Sequence, residues 1–169
     1  MTIDVTAGSA TAVAYGSAAE ADTYFTARGI STWTGTEGAK EQALIKGADY
    51  LERRYAGRWV GVKTTSTQSM SWPRGWVNDL DGYPIDADEI PVNLKRANFE
   101  AALLILAGTD LEPVLERGGA VTKKHVKAGP VETSTEYSGG APVRSVITKI
   151  DGLLTGLVTD GRGIDLLRA

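Results

Sequence analysis

Residues 91–108 read PVNLKRANFEAALLILAG and carry the strongest helix signal of the chain. Pro91 fits the first position of a helix, because that position needs no backbone N–H donor, and Gly108 fits the residue just beyond a helix end. Residues 101–107 are apolar on every side, as in a helix that other helices surround. The segment therefore predicts a central helix around which the rest of the chain is arranged.

Two further helices are predicted before this one. Ser17 and Glu20 form a capping box, in which each side chain bonds the backbone N–H of the other residue, and Gly29 is placed to end the helix that follows. A second cap at residues 34–37, TGTE, precedes a helix of about 18 residues. The apolar residues of that helix recur at helical spacing: Leu44, Ala48, Leu51 and Tyr55. Residues 1–16, rich in Thr, Ala and Gly, are predicted to form an extended arm outside the core.

Other kinds of structure are predicted on both sides of the central helix. Residues 57–90 form a long loop, since Pro and Gly residues interrupt any helix, and apolar residues at 59–62 and 68–72 indicate two short strands or an irregular segment. Residues 119–138 predict a β-hairpin that turns at 128–130, the sequence AGP. Apolar residues recur at helical spacing beyond residue 143, so an amphipathic helix is predicted to end near Val158.

These elements predict a mainly α fold. It is a small bundle of about four helices, with the hairpin between the last two main helices and extended N- and C-terminal arms. A single domain at residues 17–158 holds the long loop 57–90 and the hairpin 119–138, and it lies between an arm at 1–16 and a tail at 159–169. The 169 residues, 42% of them hydrophobic, suffice for one core.

Composition and motifs exclude several function classes. The chain has no cysteine, which excludes thiolate catalysis and thiolate metal sites, and its net charge of −3 provides no global attraction for nucleic acid or anionic membranes. No apolar run reaches about 18 residues and no leader segment is visible, so neither a membrane span nor export is expected. His125, the single histidine, lies among lysines, and no nucleophile elbow or phosphate loop occurs. Neither an enzymatic activity nor a cofactor is expected.

The acidic part of the long loop invites comparison with a calcium site. Aligning Gly82 with the invariant glycine of an EF-hand loop places Asp79 and Asp81 on ligand positions. Val77 then occupies the first ligand position, and Asp88 the last, where a bidentate glutamate is needed. No metal site is expected, and a solvated turn is the preferred interpretation, with weak cation binding as the alternative.

Two groups of basic residues are candidates for contact with nucleic acid. Neighbouring aromatic residues would give the first group base-stacking surfaces. The alternative interpretation is that the tryptophans belong to the core and the charges lie on solvated faces. The two groups are Arg53, Arg54 and Arg58, and Lys123, Lys124 and Lys127.

The C-terminal tail carries apolar side chains on a segment too short to form its own core. Ile164, Leu166 and Leu167 follow a glycine-flanked hinge, and Arg168 comes after them. Such side chains need cover. The tail either folds back on its own domain or docks on a neighbouring subunit or a partner.

Several short motifs occur in an order that resembles a known group of proteins. The chain resembles small tailed-phage proteins often labelled DnaT-like single-stranded-DNA-binding proteins, which look like the head-tail adaptor (connector) proteins of long-tailed phages. The resemblance covers about residues 15–158, and its most specific part is the run from Trp72-Pro73-Arg74 to the helix after Ile90-Pro91. The motifs are SAAEADTYF at 17–25, the helix at 44–55, MSWPR at 70–74, DG at 81–82, EIP at 89–91, RGG at 117–119 and the stretch 126–132.

The resemblance implies a structural virion protein without enzymatic activity. It implies a ring of about twelve copies below the portal, which extends the DNA channel and joins head to tail. The implied partners are the portal protein, a stopper or tail-terminator protein and other copies of the chain, while DNA passes without sequence-specific binding. The protein would be made in the cytoplasm of the bacterial host and would lie in the neck of the virion. The alternative is a single-stranded-DNA-binding replication accessory protein that uses the two basic groups.

Two sets of residues receive roles by their position in this resemblance. The first set braces the long loop, and it consists of Trp72, Pro73, Arg74, Asp81 and Gly82. The second set lies in the C-terminal segment, which in adaptors reaches the portal, and it consists of Ile164, Leu166, Leu167 and Arg168.

Overall fold

In the computed structural model, helices α1 (Ala18–Thr26), α2 (Glu37–Arg54), α3 (Val92–Leu106) and α4 (Thr148–Leu153) account for most of the regular structure. The structure describes residues 2–112, 121–127, 132–137 and 148–159. The described residues also contain four short strands: β1 (Val62–Lys63), β2 (Arg74–Gly75), β3 (Val121–Lys127) and β4 (Glu132–Tyr137). The predicted fold class is confirmed, since the described residues form a small, mainly helical protein with one two-stranded hairpin.

The chain divides into two compact units. The larger comprises Met1–Leu111 and Ile147–Ala169, and the smaller comprises Glu112–Val146. In the smaller unit, β3 and β4 pair antiparallel from Val121 opposite Tyr137 to Lys127 opposite Glu132. This pairing confirms the predicted hairpin.

The helix caps agree with the sequence at α1 and differ by two residues at α2. The Ser17 hydroxyl accepts from the Glu20 N–H at 3.3 Å and the Glu20 carboxylate accepts from the Ser17 N–H at 2.8 Å. Gly29 has a φ of +64°, the left-handed conformation expected after a helix end. At α2 the capping residue is Thr36, whose hydroxyl accepts from the Ala39 N–H at 3.2 Å. The prediction of a cap beginning at Thr34 is therefore wrong in detail, because the hydroxyl that reaches the free N–H groups comes from the residue directly before the helix.

Helix α3 is central, as predicted, because it packs against each of the other three helices. It begins one residue later than expected, since Pro91 caps the helix with an extended ψ of 135°. The prediction that its second half is wholly enclosed is wrong for the described residues. Ala101 and Ala102 are buried, whereas residues 103–106 are only half-buried. This difference arises because α2 crosses α3 near the middle of α3. The last turn of α3 therefore lies outside the closest contact between the two helices.

That crossing is formed by Gly47 on α2. A Cβ atom at Gly47 would lie 3.0 Å from the Asn98 Nδ2 atom and 3.1 Å from the Ala102 backbone nitrogen. Glycine therefore lets the two helix backbones approach closely. Asn98 is fully buried at this point, and its amide donates to the Leu44 carbonyl at 2.9 Å and accepts from the Tyr15 N–H at 3.1 Å.

The prediction that residues 1–16 lie outside the core is wrong. Ile3, Ala12, Ala14 and Tyr15 are buried. Residues 2–16 have no regular secondary structure, but the Val13 N–H donates to the Asp4 carbonyl at 2.9 Å and the Ser69 hydroxyl donates to the Ala12 carbonyl at 2.6 Å. Scattered apolar residues gave no periodic signal, so only the folded packing shows that they belong to the core.

The long loop contains no helix, as predicted, but its strands are placed differently. β1 pairs antiparallel with β2, while residues 68–72 form no strand and follow the second predicted alternative, an irregular segment. Met70 and Trp72 in that stretch point into the core instead, and the buried Gln68 amide donates to the Met70 and Pro73 carbonyls at 3.0 Å each. Burial, and not strand pairing, explains the apolar pattern there.

The last helix ends earlier than predicted. α4 ends at Leu153, and the part of the predicted helix before residue 148 lies outside the described residues. Gly156 adopts a φ of +85°, which is incompatible with a continuing helix, while Leu154 and Leu157 are buried. No helix among the described residues is long and apolar enough to cross a membrane.

Replacing Asn98 with alanine should destabilise the fold strongly. The change removes both buried hydrogen bonds and leaves a cavity at the helix crossing, so we expect a loss of about 2–4 kcal/mol in the free energy of unfolding. Urea denaturation measures this loss. Asn93→Ala, an exposed change on the same helix, is the control and should cost less than about 0.5 kcal/mol. Equal effects of the two substitutions would contradict the central role of Asn98.

The capping carboxylate predicts an acid-dependent loss of stability. Burial raises the pKa of Glu20, but hydrogen bonds from Lys95 and Ser17 outweigh that effect and hold the pKa below the ordinary value of 4.5. Because the folded pKa is the lower one, the ionised carboxylate stabilises the fold above pH 4.5 and this contribution is lost as the pH falls. Glu20→Gln should therefore lose less stability than the wild type on acidification, as measured by thermal unfolding across pH. Equal losses of stability in Glu20→Gln and the wild type on acidification would contradict this role of the Glu20 carboxylate.

Candidate docking surface on the long loop

The base of the long loop is fixed in the core by aromatic packing. Trp72 is 1% exposed, and its ring lies edge-on to that of Trp59, with the centroids 6.4 Å apart. The Trp59 ring in turn packs against Tyr55 at 5.6 Å. Trp72 and Pro73 are joined by a cis peptide bond, and Pro73 is fully buried. These two tryptophans are therefore core residues and offer no stacking surface to a nucleic-acid base.

Hydrogen bonds to Glu52 tie the same part of the loop to helix α2. The Glu52 carboxylate accepts from the Tyr15 hydroxyl, from the Ser71 N–H at 3.1 Å and from the Ser71 hydroxyl at 2.6 Å. Burial and the neighbouring Glu52 charge raise the pKa of Tyr15 well above its usual value, so the phenol remains a proton donor. One carboxylate thus joins the N-terminal segment, α2 and the loop.

Arg74 closes the loop on itself. Its guanidinium donates to the carbonyls of Val60, Gly61 and Ser71, at 2.5, 2.7 and 3.2 Å. Desolvation lowers the pKa of Arg74, which nevertheless stays charged because arginine titrates far above neutral pH. Gly61 has a φ of +67°, and a Cβ there would lie 2.3 Å from the Gly75 carbonyl oxygen, so only glycine fits this approach. Arg74 and Gly61 therefore hold the start of β1 against β2.

The outer part of the loop is an ordered turn held by Asp79. The Asp79 carboxylate accepts from the N–H groups of Asp81 at 3.0 Å and Tyr83 at 2.8 Å, and the Ile85 N–H donates to the Val77 carbonyl at 2.9 Å. The resemblance placed Asp81 and Gly82 of this turn among the residues that brace the long loop. Gly82 does adopt a φ of +90°, but Asp81 contributes its backbone and its side chain is exposed. The tendency of aspartate to bond backbone N–H groups two to four residues ahead is the signal that could have identified Asp79.

Three large apolar side chains project from this ordered loop into solvent. Trp76 is 93% exposed, Leu80 74% and Tyr83 71%. Trp76 also has a φ of +64°, a conformation that bulky residues rarely adopt. We call these three residues the loop tip. Sequence reasoning counted Trp76 among the aromatic residues near the first basic group, but it missed Leu80 and Tyr83, because it treated the segment as a solvated acidic turn.

A cleft of about 450 Å³ lies beside the loop tip, between the acidic turn, the first turns of α3 and the segment after α4. Leu80 borders it and reaches across to Gly156, where a Cβ would lie 2.8 Å from the leucine side chain. The lining combines apolar groups with carboxylates and one guanidinium. The apolar residues include Ile85, Val92 and Leu157, the acidic ones are Asp79, Asp81, Asp86 and Glu89, and the basic one is Arg96.

The first group of basic candidates is largely engaged within the fold. Arg54 lies 3.6 Å from the Asp151 carboxylate, and Arg58 donates to the Thr159 carbonyl at 3.1 Å with its guanidinium 5.4 Å from the centre of the Tyr55 ring. Arg53 is exposed on α2. Arg54 thus holds α4 against the end of α2, and Arg58, just beyond that end, holds the segment after α4.

The second group lies on β3, in the smaller compact unit. In the antiparallel register Lys123 stands opposite Glu136, Lys124 opposite Thr135 and Lys127 opposite Glu132. Two of the three lysine positions therefore have a glutamate as their Cα partner. The two basic groups lie in different units.

The residues proposed to dock on the portal, Ile164, Leu166, Leu167 and Arg168, lie outside the described residues. The structure does show the segment that leads to them. Val158 pairs antiparallel with Trp59, and the Thr159 N–H donates to the Arg58 carbonyl at 2.8 Å. This short pairing fixes the end of the described chain beside the base of the long loop.

In the described ranges, no group of three or more His, Asp or Glu side chains is arranged to hold a metal ion. The carboxylates of the acidic turn are spread along the cleft, and Asp79 is already used by the backbone of its own turn. The structure therefore offers no assembled ligand set at the position that the EF-hand comparison tested.

The whole chain, residues 1–169, matches the family described as "Putative DnaT-like ssDNA binding protein". The chain belongs to this family. No match is found among curated proteins or solved structures. Family membership thus agrees with the resemblance that the motifs indicated, while the head-tail adaptor identity is a separate proposal.

The strained backbone at Trp76 predicts a stabilising substitution. The left-handed conformation costs an L-residue about 1–2 kcal/mol, whereas glycine adopts it freely at an entropic cost of about 0.5–1 kcal/mol. Trp76→Gly should therefore raise the free energy of unfolding by up to about 1 kcal/mol, measured by urea denaturation. Tyr83→Gly, an exposed aromatic in the same loop without a positive φ, is the control and should lower it slightly. A loss of stability on Trp76→Gly would show that the indole supports the fold.

Proposed function

We propose that this protein is a structural head-tail adaptor of a tailed phage. In this proposal about twelve copies form a ring below the portal, extend the DNA channel and join the head to the tail. The partners are the portal protein, a stopper or tail-terminator protein and neighbouring copies, and the protein has no enzymatic role. It is made in the bacterial host cytoplasm and functions in the virion neck. The observation that carries the proposal is the ordered loop 76–89, which presents apolar side chains and carboxylates to solvent.

The charge distribution supports a protein partner and a passive relation to DNA. Among the described residues, ion pairs link the helices to one another, so the cations that form them are matched by carboxylates within the fold. Carboxylates facing a DNA channel repel phosphates and let the duplex pass, whereas a strand binder must neutralise phosphates with exposed cations. These pairs include Lys40 with Asp22, Lys95 with Glu20, Lys149 with Glu100 and Arg54 with Asp151.

The anchored segment before the C-terminal tail supports the proposed role of the tail. Val158 pairs antiparallel with Trp59, and the Thr159 N–H donates to the Arg58 carbonyl, next to the buried base of the loop. A partner that bound Ile164, Leu166 and Leu167 would therefore be connected to the helical core by only a few residues. This short connection suits a protein that must transmit force between two parts of a particle.

The family description favours a second candidate function, single-stranded-DNA binding in replication. The candidate contacts are Arg53, Arg54, Arg58, Lys123, Lys124 and Lys127. Arg54 and Arg58 are engaged within the fold, and three of the four tryptophans are buried: Trp33, Trp59 and Trp72. The described surface therefore supports the adaptor better than the strand binder.

The portal encoded by the same genome tests the adaptor proposal. Mixed with the full-length chain, it should gain a ring of subunits, measured as complex mass by native mass spectrometry. A chain ending at Asp160 should add none, because it lacks the apolar tail residues. A full-length chain with Leu166→Ser and Leu167→Ser is the matched variant and should also fail to bind, while retaining the wild-type unfolding temperature.

A parallel titration with single-stranded DNA separates the two candidate functions. An adaptor should bind the oligonucleotide weakly at every salt concentration. A strand binder that neutralises several phosphates should lose affinity by orders of magnitude over a fourfold rise in salt. Tight, salt-sensitive DNA binding together with no portal complex would overturn the adaptor proposal and establish the second candidate.

A further inference from the structure

We infer that the loop tip and the adjoining cleft form a docking site for a partner protein's polypeptide segment that carries apolar side chains next to Lys or Arg. The inference goes beyond the proposed function, since it requires neither a ring nor a DNA channel. It concerns residues that are all described and that lie in the larger unit.

The loop tip is exposed in spite of an energetic cost. A tryptophan that is 93% exposed gives the fold little hydrophobic stabilisation, and its φ of +64° adds backbone strain. Neighbouring tryptophans at positions 59 and 72 are buried, so the loop is able to place this residue type in the core. An indole that is strained and exposed on a stiff loop is typical of a residue that is buried only when a partner binds.

The loop is ordered before any partner arrives. Arg74 bonds three carbonyls at its base, Gly61 permits the close approach of β1 and β2, and Asp79 fixes the turn between Leu80 and Tyr83. Little conformational entropy remains to be lost on association at such a site, so more of the contact energy becomes affinity. The arrangement resembles the rigid aromatic anchors of protein interfaces.

The cleft defines the chemistry of the occupant. Its apolar lining at Ile85, Val92 and Leu157 fits an aliphatic or aromatic side chain. Around this lining the carboxylates Asp81, Asp86 and Glu89 are exposed, and they favour a cation close to the inserted apolar group. The same carboxylates repel nucleic-acid phosphates and anionic lipid headgroups. A basic and apolar peptide segment satisfies both requirements.

The first test uses a random peptide library displayed on particles and selected against the immobilised full-length protein. Selected sequences should be enriched in Lys or Arg beside Leu, Ile, Phe or Trp. A selected peptide should shift the tryptophan emission of the protein to the blue, because Trp76 is the exposed indole in the described part of the chain. Selection of peptides without basic enrichment, or of none above background, would overturn the inference.

The second test places the binding site by substitution. Affinity of the best peptide, carrying a fluorescent label, is measured by anisotropy. The double variant Trp76→Gly and Leu80→Ser should bind at least about ten-fold more weakly, as for a residue pair at the centre of an interface. Val62→Ser removes an apolar side chain that is 55% exposed elsewhere on the loop, so it is the matched control and should change affinity less than about two-fold.

The acidic contribution is tested separately. Asp81→Asn with Asp86→Asn should weaken peptide binding and reduce its salt dependence, since two cation partners are lost. Thermal unfolding of every variant shows whether the fold is retained, and the exposure of these side chains predicts that it is. Unchanged affinity in both the apolar and the acidic double variants would overturn the inference, while a failed portal experiment would leave these results unaffected.

Discussion

The rest of the larger unit depends on one buried side chain at the crossing of the two longest helices. Asn98 bonds the backbone of α2 at Leu44 and the backbone of the N-terminal segment at Tyr15, and it lies against Gly47, where the helices approach most closely. A buried amide that satisfies two backbone groups fixes both the register of the helices and the path of the N-terminal segment. Tyr15, held in this way, then reaches Glu52 and, through it, the base of the long loop. The position of the exposed loop is thus linked to the centre of the bundle.

The long loop is rigid at its base, and its tip carries backbone strain and exposed apolar surface. The rigid base allows the strained tip to persist. A tryptophan with a positive φ persists only where the surrounding structure determines its conformation. Here Arg74 and the glycine at position 61 fix the chain just before it, and Asp79 fixes the chain just after it. A flexible loop would relax to an unstrained conformation. The ordered base is therefore the reason why Trp76 keeps its strained backbone conformation.

Some of the positive charge of the larger unit joins its helices. Arg54 and Arg58 look like nucleic-acid contacts in the sequence, because they lie beside Tyr55 and Trp59. In the fold the first pairs with Asp151 and secures α4, and the second bonds the Thr159 carbonyl and secures the segment after α4. The carboxylates of the long loop, in contrast, face solvent. A linear list of charges cannot distinguish these cases, since ion pairing between helices depends on which faces meet.

The sequence by itself determined the helical class, the capping box at Ser17, the central position of α3 and the hairpin. These features depend on neighbours within a few residues, whose spacing is visible in the chain. Tertiary structure alone decided that Ile3, Ala12, Ala14 and Tyr15 belong to the core, that α4 ends at Leu153, and that Asp79 holds the acidic turn. It also decided that Trp72 is buried while Trp76 is exposed, although only three residues separate them. Which side of an irregular segment faces the core depends on contacts with residues distant in the chain, and no local period records them.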